Sequence, residues 1–310
     1  MEPETSTPNN HKTLALLGAL VLITVAGAII PASWFNVDNK NQPLDLTSVN
    51  AVNVTPKDKN TNQPLTWKQL AESALSDQPE VLTQLQSAPI DTETISQLND
   101  EENLTASFSK NLYVASAYLK ENNITDEDSK QNVINQLIEQ EAAKIVPTVY
   151  SYKDINVAQT ESKTSIKTYG NTVASLFSAT LTEKSLADDI SALKDFLKTK
   201  SGDSITPIKR DHDRVSAMLQ KLLKVSVPPS AVVYHLSAIN KISEYNDTLS
   251  NVSKMETDPL RANLALKKYT DVVFSTTGVY QNLSDYFNIK NIVFSSKESG
   301  YMFTVGYTPK

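Results

Sequence analysis

Three stretches of this chain carry residue types that could do chemistry. The densest is Lys209-Arg210-Asp211-His212-Asp213-Arg214, where two carboxylates flank an imidazole. Asp-His-Asp becomes a metal ligand set only if the side chains converge, and neighbours on a helix point in different directions. A second His or a distant carboxylate would have to join, and the sequence nominates none. His212 also shares an apolar stripe with Ile208, Val215, Leu219 and Leu222, which predicts a hydrogen-bonded histidine at a core edge. The surrounding charges are expected to form a solvated face, with Arg210 and Asp213 or Arg214 and Asp211 pairing across one turn. The second stretch is Tyr234-His235. A general base there would need a nucleophile within reach, and no G-x-S-x-G or comparable signature exists, so packing is the expected role.

The third stretch is Glu161-Ser162. It resembles the Glu-Ser of lytic transglycosylases, which cleave cell-wall glycan outside the membrane. That family's motif continues into Gly-Leu-Met-Gln, whereas here Lys163-Thr164-Ser165 and Tyr169-Gly170-Asn171 follow. No pair of carboxylates stands out as a glycosidase acid and nucleophile. Composition narrows the field further. There is no Cys, which removes thiolate catalysis, Fe–S clusters and Cys-based zinc sites. The only histidines are His11, His212 and His235. Seven Gly among 310 residues disfavour a Gly-rich phosphate loop. Acidic residues outnumber basic ones, 35 to 29, and only Arg210, Arg214 and Arg261 are arginines, so nucleic acid is not an expected partner. The expectation is a protein that is not an enzyme, with no catalytic, cofactor-binding or metal residues and no cofactor.

The elements behind these residues are more legible than their chemistry. Thr13 to Ile30 reads TLALLGALVLITVAGAII, eighteen residues without a charge. At about 1.5 Å per residue it spans roughly 27 Å, close to the hydrocarbon layer of a bilayer. Trp34 and Phe35 follow where interfacial aromatics anchor a membrane helix. Ala26-Gly27-Ala28 offers a cleavage site for a signal peptide, but Glu2 and Glu4 are wrong for its basic n-region. The expected organisation is a cytoplasmic tail (1–12), a transmembrane helix (13–30), a polar stalk (31–65), a helical ectodomain (66–288) and a C-terminal hairpin or tail (289–310). The lipid bilayer is thus an expected partner through residues 13–30. Protein partners or self-association are expected too, since small residues such as Gly18, Ala19 and Gly27 permit close helix approach.

Beyond the stalk, Thr66 and Gln69 match a capping box. Leu104, Phe108, Leu112, Ala115 and Leu119 make an apolar stripe that ends at Asn122-Asn123, and Thr125 with Asp128 opens the next helix. Further helices are predicted near 162–181 and 185–199, the latter burying Leu186, Ile190, Leu193 and Phe196. Thr206-Pro207, Pro228-Pro229 and Asp258-Pro259 open three more, the last reaching Phe287 with apolar residues alternating at four and three. Ile292 to Phe294 and Tyr301 to Val305 suggest a small β-hairpin. The expected fold class is all-α: an N-terminal transmembrane helix, an elongated antiparallel helical bundle and that hairpin.

Val227-Pro228-Pro229-Ser230, Asp258-Pro259-Leu260 and Glu298-Ser299-Gly300-Tyr301-Met302-Phe303 carry a further likeness. With the membrane helix and Asn103-Leu104-Thr105, the chain resembles a group of single-pass, mostly helical exported proteins of candidate phyla radiation (Patescibacteria-type) bacteria. The resemblance implies topology and no chemistry. The expected role is structural or interaction-based, in an envelope or secretion assembly at the cell membrane. The alternatives are an extracytoplasmic ligand-binding or sensory bundle acting through a partner, and a cell-envelope hydrolase using Glu161.

Overall fold

Short polar side chains open several of the helices. The computed structural model describes residues 102–181, 183–199 and 201–304, with 55–57, 61, 63–66 and 69–70. The expected membrane helix at 13–30, the tail before it and most of the stalk lie outside these residues. Among the described residues, no helix is long and apolar enough to cross a membrane. They are mostly helical: α1 (Leu104–Glu121), α2 (Glu127–Ala142), α3 (Lys163–Thr180), α4 (Glu183–Thr199), α5 (Thr206–Leu222), α6 (Val232–Val252) and α7 (Pro259–Ile289). Two short strands, β1 (Asn156–Val157) and β2 (Ser226–Val227), pair in parallel. The Thr66 capping box forms as expected, Gln69 donating its backbone N–H to Thr66 Oγ1 and accepting that of Thr66.

The described chain divides into two compact units. One contains α1, α2 and residues 257–263 at the start of α7. Asn103 caps α1 by accepting from Ala106 N at 3.1 Å. The helix stops at Asn122, and Asn123 then turns the chain at φ 56°, a left-handed conformation that Asn tolerates. The α2 cap is Asp126, accepting from Ser129 N at 2.8 Å, one residue beyond the expected Thr125. Glu141, wholly buried, clips the two helices together. It accepts from Ser107 Oγ at 2.9 Å and Lys144 Nζ at 2.6 Å, while Lys144 also donates to Ser107 at 2.9 Å.

The second unit holds α3 to α6 and the rest of α7. Its core is aromatic: Tyr169, Phe177, Tyr286, Phe287, Phe294 and Phe303 are all at most 3% exposed. The α7 helix runs to Ile289, somewhat beyond the expected end at Phe287. The final segment departs from expectation. Residues 299–303 form a 3-10 turn, and no strand occurs among residues 292–304, so the C-terminal hairpin is not formed there. Burial does alternate through Ile292 (6% exposed), Val293 (75%) and Phe294 (3%), but the 3-10 turn at 299–303 gives that segment no partner strand. Polar ties fix the turn: Ser284 Oγ donates to the Phe303 carbonyl at 2.6 Å, and Gly300 N donates to Asn171 Oδ1 at 2.9 Å.

Two expected helix starts also shift. Thr206 is the first helical residue and not the cap, since a 3-10 turn (Gly202–Ile205) precedes it and leaves Ile205 at the cap position. Pro228 caps another 3-10 turn (Pro229–Ala231), and α6 begins at Val232.

Candidate functional site

On α5 the charged hexapeptide is spread around a full turn. Asp211, and not His212, points inward: it is 2% exposed and continues the buried line Val215, Met218, Leu222 at helical spacing. Arg214 donates to Asp211 Oδ1 at 3.0 Å, the pair expected from sequence. Arg210 departs from expectation, lying 3.6 Å from both Asp188 and Asp211. His212 is half-buried, with its Nδ1 3.3 Å from Asp213 Oδ1.

Helix α4 brings a second acid to the same place. Ile190, expected in the core, is 43% exposed, while Asp189 beside it is fully buried. The Tyr269 hydroxyl on α7 donates to Asp189 Oδ2 at 2.8 Å. Tyr245 on α6 packs on Tyr269 with ring centroids 6.4 Å apart. Two carboxylate oxygens, Asp189 Oδ1 and Asp211 Oδ2, are buried without a hydrogen-bond partner. Burial pushes the Asp189 carboxyl up to about 7; the Tyr269 hydroxyl opposes this and the charge of Asp211 adds to it. Tyr269 itself is pushed up, first by burial and then by Tyr245 and Asp189.

The sequence reading missed Asp189 because Ile190 offered the same period with an apolar side chain. Asp189, Leu193 and Phe196 fit spacings of four and three equally well. The same substitution of an acid for the expected stripe residue happened at Asp211 and His212. Within α4 no signal reveals Asp189, whose donor Tyr269 comes from α7, whereas Arg214, one turn from Asp211 on α5, is a local sign of that acid.

His235 is 1% exposed and structural. Its Nε2 lies 3.1 Å from the Leu222 carbonyl, which can only accept, so this nitrogen carries the proton. Nδ1 then accepts from the Tyr169 hydroxyl at 3.1 Å. Burial lowers the His235 pKa to about 4, keeping the ring neutral. Glu161 is committed as well: its carboxylate accepts from Ser230 N at 2.9 Å, and Lys290 lies 3.4 Å away. These donors, Ser230 first, lower its pKa, the reverse of what a general acid requires.

An open cleft of about 430 Å³ lies along the first turns of α3, lined by Lys163, Lys167, Asn171, Ile292, Val293 and Glu298. Lys167 is paired with Glu298 at 2.9 Å. Among the described residues, no three His, Asp or Glu side chains converge as a metal site. No protein family, curated protein or solved structure matches this chain.

Proposed function

We propose that this chain is a single-pass membrane protein whose helical part lies outside the cytoplasm and acts by contact with other proteins, in an envelope or secretion assembly. The observation that carries the reading is the eighteen-residue stretch 13–30 without a charge, which water solvates poorly and a bilayer accommodates. Glu161, Glu141 and His235 each hold one part of the chain against another. The likeness to single-pass exported proteins of candidate phyla radiation bacteria supports the same topology.

Alkaline carbonate extraction of native membranes tests the anchor: the full chain should stay in the pellet, and its release would overturn the reading. A reporter fused at Lys310 should be active outside the cytoplasm. Cross-linking in intact cells, followed by detergent extraction, should trap the chain with a second protein or a second copy. In a second reading, the chain is a ligand-binding or sensory bundle that signals through a partner, with the open cleft beside α3 as the place for a ligand. Native mass spectrometry of the detergent-solubilised full chain would support it by finding a bound small molecule.

A further inference from the structure

The carboxylates of Asp189 and Asp211 are each half satisfied, and the halves left over are of the same kind. Asp189 Oδ2 takes the Tyr269 proton at 2.8 Å, and Asp211 Oδ1 takes the Arg214 N–H at 3.0 Å. Asp189 Oδ1 and Asp211 Oδ2 remain, both buried, both acceptors only when ionised, and neither with a donor. A buried acceptor without a donor costs a desolvation penalty, and a bare buried charge costs more.

The groups facing this place are few enough to enumerate. Tyr269 comes from α7 and Tyr245 from α6, both neutral because burial pushes their hydroxyl pKa values up. Asp188 comes from α4 itself, 41% exposed and 3.6 Å from Arg210. Arg210, Asp211 and Arg214 come from α5. The two guanidinium groups lie against Asp211, whereas Asp189 has only a neutral phenol as its direct donor. Asp211 is thus compensated by two cations, and Asp189 lacks one of its own.

We propose that Asp189 and Asp211 form a proton-binding site, in which one proton carried by Asp189 replaces the missing cation and makes the packing of α4 depend on pH. The proton comes from solvent and sits on Asp189 Oδ1. No bond other than O–H is made or broken. With the proton in place, Asp188 and Asp211 balance the two arginines, and Tyr269 and Asp189 carry no charge. Without it, two carboxylates repel each other in a dry pocket and α4 loosens.

The sign follows from linkage. The folded state holds this proton more tightly than an unfolded Asp, whose ordinary pKa is near 3.8. Stability from this site is whole below that value and declines as pH rises through the folded pKa of about 7. His235 works in the opposite direction: its pKa falls from 6.5 to about 4, so acid weakens it over an overlapping range. The two effects offset each other in the bare pH profile, and only a comparison between variants isolates Asp189.

The test is the thermal midpoint of the full chain in detergent, wild type against Asp189→Asn, at pH 5 and pH 8. The amide keeps an acceptor for Tyr269 and supplies a permanent donor in place of the proton. The advantage of Asp189→Asn over wild type should be small at pH 5 and several degrees larger at pH 8. An equal loss at both pH values would overturn the proposal. Asp211→Asn should lose stability at both, since the arginines lose their partner; a gain at pH 8 there would also overturn it. The wild-type chain gives an independent readout through the 13Cγ resonance of Asp189, expected to titrate between pH 6 and 8. Titration below pH 5 would sink the idea without any variant.

Discussion

Asp258 does the work of two helix caps. Its Oδ2 accepts from Leu104 N at 2.9 Å and its Oδ1 from Thr105 N at 3.0 Å, at the start of α1. The same carboxylate accepts from Arg261 N at 3.3 Å and Arg261 Nε at 2.9 Å, at the start of α7. Thr105 joins in, donating its hydroxyl to Asp258 and accepting Leu260 N at 2.8 Å. Two helix N-termini thus share one negative charge that is 4% exposed. Burial alone would raise the Asp258 pKa, but the donors from Thr105, Leu104 and Arg261 together bring it below the ordinary 3.8. Asp258→Ala removes two caps and leaves Arg261 without its carboxylate, a loss of about 2–4 kcal/mol in chemical denaturation. The contribution is complete above pH 4 and fades as acid protonates the folded carboxylate. The wild-type advantage over Asp258→Ala should shrink accordingly in a denaturation series run towards pH 2.

At the scale of elements, glycines separate close packing from mere helix weakness. Gly170 on α3 faces the aromatic core. A Cβ there would lie 2.5 Å from Phe294 Cζ and 2.9 Å from Phe287 Cζ. Alanine gains up to about 1 kcal/mol of helix propensity over glycine, but overpacking a filled core costs about 1–3 kcal/mol, and the rings have no room to retreat. Gly170→Ala should therefore lower the thermal midpoint. Gly300→Ala should do the same, since its Cβ would fall 2.3 Å from the Phe294 ring. Gly278 on α7 meets nothing within 4 Å, so there propensity acts alone. Gly278→Ala should stabilise by roughly 0.5–1 kcal/mol, measured by the same melt. The α3 and α7 periods were readable because their buried faces are apolar or aromatic. The alternation at Ile292 and Phe294 reads as a strand, and the 3-10 turn that instead carries Phe303 inward is set by ties to Ser284 and Asn171 far away in sequence.

For the whole molecule, the reading rests on two regions with different physics. Residues 13–30 are described by composition alone, and the prediction attached to them is a partition. Deleting 1–30 should move the chain from the carbonate pellet to the supernatant, followed by immunoblot. Retention of the truncated chain in the pellet would mean that something else holds it to the membrane. Residues 102–304 fold as two units, with α7 passing from one to the other. Within each unit, long-range polar ties join residues far apart in sequence. Glu161 reaches Ser230, and Asn240 and Ser243 hold the backbone of Tyr150 and Thr148.

The amino-acid order by itself determined the helical class, most helix boundaries and the apolar stripes, because caps and periodicity act within one or two turns. Asn103, Asn122 and Asp258 are legible in this way. Only the tertiary structure decided which acids go inward. Asp189 and Asp211 occupy stripe positions that local hydropathy assigns to Ile190 and His212, and burying an acid is tolerable only beside Tyr269, Arg210 and Arg214. Arg214 shares α5 with Asp211, and its pairing across one turn is legible, but Tyr269 reaches Asp189 from α7 and Asp188 meets Arg210 from α4. Such contacts act through space, where a one-dimensional pattern has no term for them.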